Sequence, residues 1–172
     1  MTAANAWALD EVDGCYQIGT AQDLVDFATL VNEGKDAANA VLTADIDMTG
    51  VEWTNISVYR GVFDGQGHSI TNFNYTTTGD NQGFFGQIMG ATLQNFSIAG
   101  TLNAMNGATG TIGYADGGSV IKNVHCGVDV NVENNGHCGG LVGSSRDVWI
   151  DGCTYSGTLT IIHEKGDSDG GI

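Results

Sequence analysis

The strongest constraint on the fold of this chain is an internal repeat. A unit of two glycines that frame two mostly apolar residues occurs at residues 83–86 (GFFG), 110–113 (GTIG) and 140–143 (GLVG), with spacings of 27 and 30 residues. One such unit cannot bury its own apolar face, but stacked copies can. The repeat therefore predicts a solenoid in which Phe85, Ile112 and Val142 form one interior column.

A second series, an apolar residue, any residue, asparagine and an apolar residue, runs in phase with the glycines. It occupies residues 70–73 (ITNF), 93–96 (LQNF) and 121–124 (IKNV), and residues 150–153 (IDGC) continue it with glycine in place of asparagine. Asparagine tolerates left-handed backbone, so Asn72, Asn95 and Asn123 are expected to stack at one bend. The alternative is three unrelated turns. The same phase predicts that Ile98 and Cys126 are neighbours.

Repeats of 23 to 30 residues built from short apolar runs, with no helix in each copy, favour a parallel β-helix over helical solenoids. The leucine spacing of leucine-rich repeats is absent. We expect about five coils, whose strands lie about 4.8 Å apart. Antiparallel sandwich pairing would contradict this fold.

One helix is predicted, at residues 21–33. Thr20 and Asp23 form a capping box, and an apolar stripe of Leu24, Phe27, Ala28 and Val31 follows at helical spacing. Gly34 is the expected C-terminal cap. We therefore divide the chain into an N-terminal segment with a capping helix, residues 1–40, and β-helix coils, residues 41–172.

Two segments carry a family resemblance. Residues 63–73 (FDGQGHSITNF) and 139–143 (GGLVG) resemble the first coils and the repeat of secreted bacterial right-handed β-helix proteins with GLUG-type glycine-rich repeats. The resemblance covers nearly all of the chain after residue 15. It implies a right-handed β-helix, an N-terminal helical cap and a secreted or cell-surface location. Asn55 stands where that family commonly has proline, which leaves the start of the strand less rigid.

The C-terminal end of the chain suggests a piece of a larger protein. Residues 169–172 (DGGI) look like the first residues of another repeat unit, so we expect the remainder of a longer parent chain to follow. Residues 1–7 have neither the basic nor the apolar region of an intact signal peptide.

Charge and hydropathy exclude two classes of partner. The chain has 5 Lys and Arg against 20 Asp and Glu, a formal net charge of −15. Nothing in this balance would neutralise phosphates, so we predict no nucleic-acid partner. No apolar run reaches the roughly 18 residues of a membrane helix, so we predict no membrane insertion. The 27 glycines and the absence of proline indicate regular structure with many tight turns.

The cysteines and histidines do not predict a metal site. Cys15, Cys126, Cys138 and Cys153 form no C-x-x-C pair. They allow two disulfides in three connectivities, but we favour reduced and buried thiols. His125 and His137 precede Cys126 and Cys138, so the sequence allows a His/Cys metal site at that coil edge. We prefer the alternative, that these are scattered surface histidines.

Two sets of residues are candidates for a functional site. Asp45 and Asp47 share one side of a predicted strand and, with Asp64, would supply an acid pair or a Ca²⁺ site. Turn capping or simple solvent exposure explains them equally, and we predict no catalytic residue and no cofactor. The aromatic residues Trp53, Tyr59, Tyr75 and Trp149 could include a sugar-stacking platform or could fill the core.

Two functions remain compatible with these features. The first is a non-catalytic extracellular or cell-surface module for adhesion, for recognition of a glycan or host surface protein, or for spacing. The second is the β-helical part of a carbohydrate-active enzyme, either a glycoside hydrolase or a polysaccharide lyase. Arg60 and Arg146 are the only arginines, so an acidic polysaccharide is a poor substrate for a lyase of this kind.

Overall fold

The computed structural model describes residues 9–133 and 136–162, which form about five turns of a β-solenoid with one short N-terminal helix. The helix is α1 (Ala21–Asn32). The strands are β1 (Glu11–Val12), β2 (Cys15–Ile18), β3 (Asn39–Leu42), β4 (Ile46–Asp47), β5 (Ile56–Tyr59), β6 (Val62–Asp64), β7 (Ser69–Thr77), β8 (Phe85–Met89), β9 (Thr92–Ala104), β10 (Ile112–Asp116), β11 (Ser119–Glu133), β12 (Val142–Ser145), β13 (Val148–Asp151), β14 (Thr154–Tyr155) and β15 (Leu159–Ile162).

The strands form two sheets in which each coil hydrogen-bonds to the coils above and below it. One sheet runs β1-β2-β3-β6-β9-β11-β13, with β4, β7, β14 and β15 branching from it, and the other runs β12-β10-β8-β5. All described pairings are parallel except that of β1 with β2. The predicted parallel β-helix with an N-terminal helical cap is confirmed.

The predicted interior columns are also confirmed. Ile112 pairs with Phe85 on one side and with Val142 on the other, and Cys126 pairs with Ile98. Phe85 and Ile112 are each 1% exposed, whereas Val142 is half-buried. The difference arises because Val142 lies on β12, the last strand of its sheet, where no described coil covers it.

The predicted asparagine column is correct for two of its three members. Asn72, Asn95 and Asn123 all have left-handed backbone, with φ of 57°, 58° and 52°. Asn123 donates its amide to Asn95 across 3.0 Å, so these two stack as expected.

Asn72, however, lies at a different corner of the coil. Ile70 pairs with Ile98, and the register shifts by one residue before Phe73 pairs with Gly100. The left-handed Asn72 occupies this irregularity, and its amide donates to Asp47 at 2.9 Å instead of to another asparagine. The prediction of one bend for all three residues was therefore wrong.

Helix α1 closes the N-terminal end of the core. Thr20 and Asp23 form the predicted reciprocal capping box, and Gly34, with φ of 111°, follows the helix. The buried face of the helix carries Phe27, whose ring lies 6.0 Å from that of Tyr59 and 6.3 Å from that of Phe63. No helix among the described residues is long and apolar enough to cross a membrane.

Several sequence features can now be placed. β2 and β3, which begin before residue 41, already pair in parallel with each other and with the following coil. All four cysteines are thiols rather than disulfides, and Cys126 and Cys138 are buried. Residues 169–172, the expected start of a further repeat, lie outside the described residues.

The column of Phe85, Ile112 and Val142 yields a stability prediction. Ile112→Ala should lower the free energy of unfolding by about 2–5 kcal/mol, because it leaves a cavity between two covered coils. Val142→Ala should cost clearly less, because Val142 is half-buried at the end of the column. Urea denaturation of both variants measures the difference, and equal losses would show that the end coil is as well covered as the middle one.

Candidate functional site

The acidic candidates on β4 and beside it are bonded to the next coil. Asp45 accepts a hydrogen bond from the backbone N–H of Ser69 at 2.8 Å, and His68 Nδ1 lies 3.4 Å from the same oxygen. Asp47 accepts from the hydroxyl of Thr49 at 2.7 Å, from its N–H at 2.9 Å and from the amide of Asn72. Both carboxylates therefore connect β4 and its neighbouring residues to β7 through hydrogen bonds.

Asp64 lies at the end of β6 and is bonded in the same way at another corner. It accepts from the N–H of Gln66 at 2.9 Å, from the side chain of Gln94 at 2.8 Å and from that of Asn95 at 3.1 Å. Its partners on the next coil are thus on β9, whereas the next-coil partners of Asp45 and Asp47 are on or next to β7. The three carboxylates share no hydrogen-bonding partner.

These contacts hold the pKa of each carboxyl below its ordinary value of 3.8. For Asp45 the largest cause is the N–H of Ser69, and for Asp47 it is the side chain of Thr49. Partial burial raises the pKa of Asp64, but the hydrogen bonds that it accepts outweigh this effect. Glycoside hydrolysis needs one carboxylic acid that stays protonated, with a raised pKa. The arrangement supplies three stable carboxylates and no proton donor among them.

The described residues provide no cluster for a metal ion. Residues 9–133 and 136–162 contain no group of three or more His, Cys, Asp or Glu side chains placed to hold one, including the Ca²⁺ considered for the three aspartates. His125 is exposed while Cys126 is buried, because successive side chains of a strand point to opposite faces. These two neighbouring side chains therefore cannot bind the same metal ion. His125 instead contacts the hydroxyl of Thr154 at 2.8 Å.

The aromatic candidates separate into core and surface. Tyr59 is fully buried and donates to the carbonyl of Ala38 at 2.8 Å. Burial raises the pKa of its phenol. Trp53 is 6% exposed and stacks on Phe84 with 4.5 Å between ring centroids. Tyr75 is half-buried, and Trp149 is 69% exposed. Tyr59 presents no ring face to a ligand.

Both arginines are engaged in ion pairs between coils or loops. Arg60 lies 3.0 Å from Asp36. Arg146 lies 3.1 Å from Asp116, which also accepts from the hydroxyl of Tyr114 at 2.9 Å. Neither arginine lies beside one of the three acidic candidates.

A cavity that the sequence does not predict lies beside Trp53. Its volume is about 500 Å³, and residues 48, 50–53 and 74–76 line it. The loop after β4 supplies one wall and β7 supplies the other. The available signal was the presence of Trp53 and Tyr75 among the aromatic candidates, but their proximity depends on the pairing of two coils.

The comparisons with known proteins show the fold alone. No family model and no curated protein sequence matches the chain. Among solved structures, the chain is similar to one described as a putative immunoglobulin A1 protease from Bacteroides ovatus. The two share 19% sequence identity and a TM-score of 0.54, over 88% of this chain and 62% of the other. The chain thus shares the β-solenoid fold of this structure and spans under two thirds of its length.

The bonded carboxylates predict a loss of stability in acid. The unfolded chain binds more protons than the folded chain between the lowered pKa values and 3.8, so the melting temperature should fall as the pH drops through this window. Asp64→Asn should reduce the fall. Asp10→Asn is the control, because the carboxylate of Asp10 bonds to no described residue. Identical acid profiles for Asp64→Asn and the wild type would contradict the structural role of Asp64.

Proposed function

We propose that this chain is a non-catalytic extracellular or cell-surface β-helix module that serves in recognition of a glycan or host surface protein, in adhesion, or as a spacer. The observation that carries the proposal is the bonding of Asp45, Asp47 and Asp64. Each carboxylate is occupied by hydrogen bonds that tie one segment of the solenoid to another. Acidic residues used in this way contribute to a stable surface and leave no acid for general acid catalysis.

The nucleophiles and cations of the described residues support the same proposal. Among the described serines and Cys15, Cys126 and Cys153, no side chain hydrogen-bonds to a histidine ring, as an activated nucleophile would. Arg60 and Arg146 are held by Asp36 and Asp116, which leaves neither beside the acidic candidates to neutralise a substrate carboxylate.

The charge of the chain supports a location outside the cell. A net charge of −15 on a repetitive fold opposes association of exposed strand edges, which otherwise template pairing with other chains. The similar Bacteroides ovatus chain is described as a putative immunoglobulin A1 protease, and this description supports protein recognition as one of the partner classes.

The test combines binding and turnover on one preparation. The protein is applied to an array of plant and mucin glycans, release of reducing sugar is measured on the same glycans, and cleavage of immunoglobulin A1 is followed by electrophoresis. We expect binding to at least one array component and no turnover in either assay.

Turnover that disappears in Asp45→Asn or Asp64→Asn, with folding retained, would contradict the proposal. It would instead identify the chain as the β-helical part of a carbohydrate-active enzyme. Cleavage of immunoglobulin A1 by the pure chain would contradict it equally.

A further inference from the structure

We propose that the cavity beside Trp53 binds a neutral sugar of the size of a disaccharide. The inference rests on the proposed recognition function and gives it a site and a ligand class. Its basis is the shape of the cavity, an unpaired donor in its wall, two free polar side chains at its rim and the local charge.

The cavity has the size and the wall structure of a ligand site. Its volume of about 500 Å³ lies within the range of roughly 300–1,000 Å³ that is typical of small-molecule sites. Val51 and Tyr75 supply most of the accessible apolar part of its lining, since Met48 and Trp53 are almost fully buried, and the polar part is at least as large. One wall of the cavity is formed by strand β7, so the shape of the cavity does not depend on a loop alone.

Trp53 carries an unsatisfied hydrogen-bond donor. The indole is 6% exposed, and its Nε1–H has no acceptor among the described residues. A buried donor without a partner costs about 1–3 kcal/mol and is rare in folded proteins. Ring packing offsets this cost: Phe84 stacks on the indole, and Phe73 meets it edge-on with 6.4 Å between ring centroids. Nε1 itself is buried, so a ligand in the cavity would reach the N–H only by displacing the wall from Gly50 to Trp53.

The rim offers polar side chains that the protein does not use. The side chains of Glu52 and Asn74 are exposed and hydrogen-bond to no described residue. Thr76 adds a hydroxyl beside them. A carboxylate, an amide and a hydroxyl together supply both acceptors and donors, which is the combination that the hydroxyl groups of a sugar require.

Charge selects a neutral ligand. No lysine or arginine is among the described residues that line the cavity, Glu52 carries a negative charge at its rim, and the whole chain is strongly acidic. An anionic sugar would therefore be repelled. A quaternary ammonium ion needs open aromatic faces, and the Trp53 ring is covered by Phe84.

The test titrates the protein with named probes. Lactose, cellobiose and N,N′-diacetylchitobiose are the neutral probes, 3′-sialyllactose is the anionic counterpart of lactose, and choline is the cationic one. Binding is followed by calorimetry and by the NMR signal of the Trp53 indole N–H, which Trp53→Phe assigns. We expect saturable binding of at least one neutral disaccharide at one site per chain, with a shift of the Trp53 signal.

Variants locate the binding. Asn74→Ala and Glu52→Gln should each weaken the affinity of that disaccharide at least about five-fold, corresponding to the loss of one hydrogen bond or more. The matched controls Asn106→Ala and Glu33→Gln, both exposed and remote from the cavity, should leave it unchanged. Circular dichroism shows that each variant folds.

Three results would overturn the inference: no neutral disaccharide binds, 3′-sialyllactose or choline binds more tightly, or the cavity variants bind as the wild type does. Each of them leaves the proposed recognition function standing if the glycan array still shows binding. That function fails separately, through turnover.

Discussion

The structure depends on the close stacking of parallel coils through backbone hydrogen bonds. Strands of adjacent coils lie about 4.8 Å apart. A corner residue must therefore either lack a side chain, as glycine does, or have a side chain that hydrogen-bonds to the next coil. A Cβ on Gly110 would lie 2.6 Å from the backbone N of Gly143, which explains the glycines of the repeat. Asn123 solves the same problem differently, by adopting φ of 52° and donating to Asn95.

This constraint also determines what the acidic residues do. At the corners between strands, backbone N–H groups and amide side chains need acceptors, and carboxylates supply strong ones. Asp64 accepts from both Gln94 and Asn95, so it continues the asparagine stack by one coil. A residue type that suggested catalysis in the sequence is thus explained by the architecture, and the ligand site that we propose lies elsewhere, beside Trp53.

The sequence predicted those features that repeat. The phase of the glycine units placed Phe85, Ile112 and Val142 in one column, and the capping box placed the helix. It did not predict that Asn72 lies at another corner, because a shift of one residue in β7 leaves the local motif unchanged. Periodicity also could not distinguish the buried Trp53 from the exposed Trp149. Trp53 lies in a loop, where no strand alternation applies, and Trp149 lies on β13, the last strand in the order β1-β2-β3-β6-β9-β11-β13. The cavity formed by residues 48, 50–53 and 74–76 arises from pairing between coils, which no local pattern encodes.

The most direct test of this account is a double-mutant cycle between Asp64 and Asn95, measured as the free energy of unfolding in urea. Asp64→Ala removes the acceptor, and Asn95→Gly removes the donor while keeping the left-handed backbone that φ of 58° requires. If the carboxylate holds the coils together, the two losses should be coupled by about 0.5–1.5 kcal/mol in favour of the native pair. Additive losses, with no coupling between the two residues, would contradict the structural role of the carboxylate and return Asp64 to the list of candidates for chemistry.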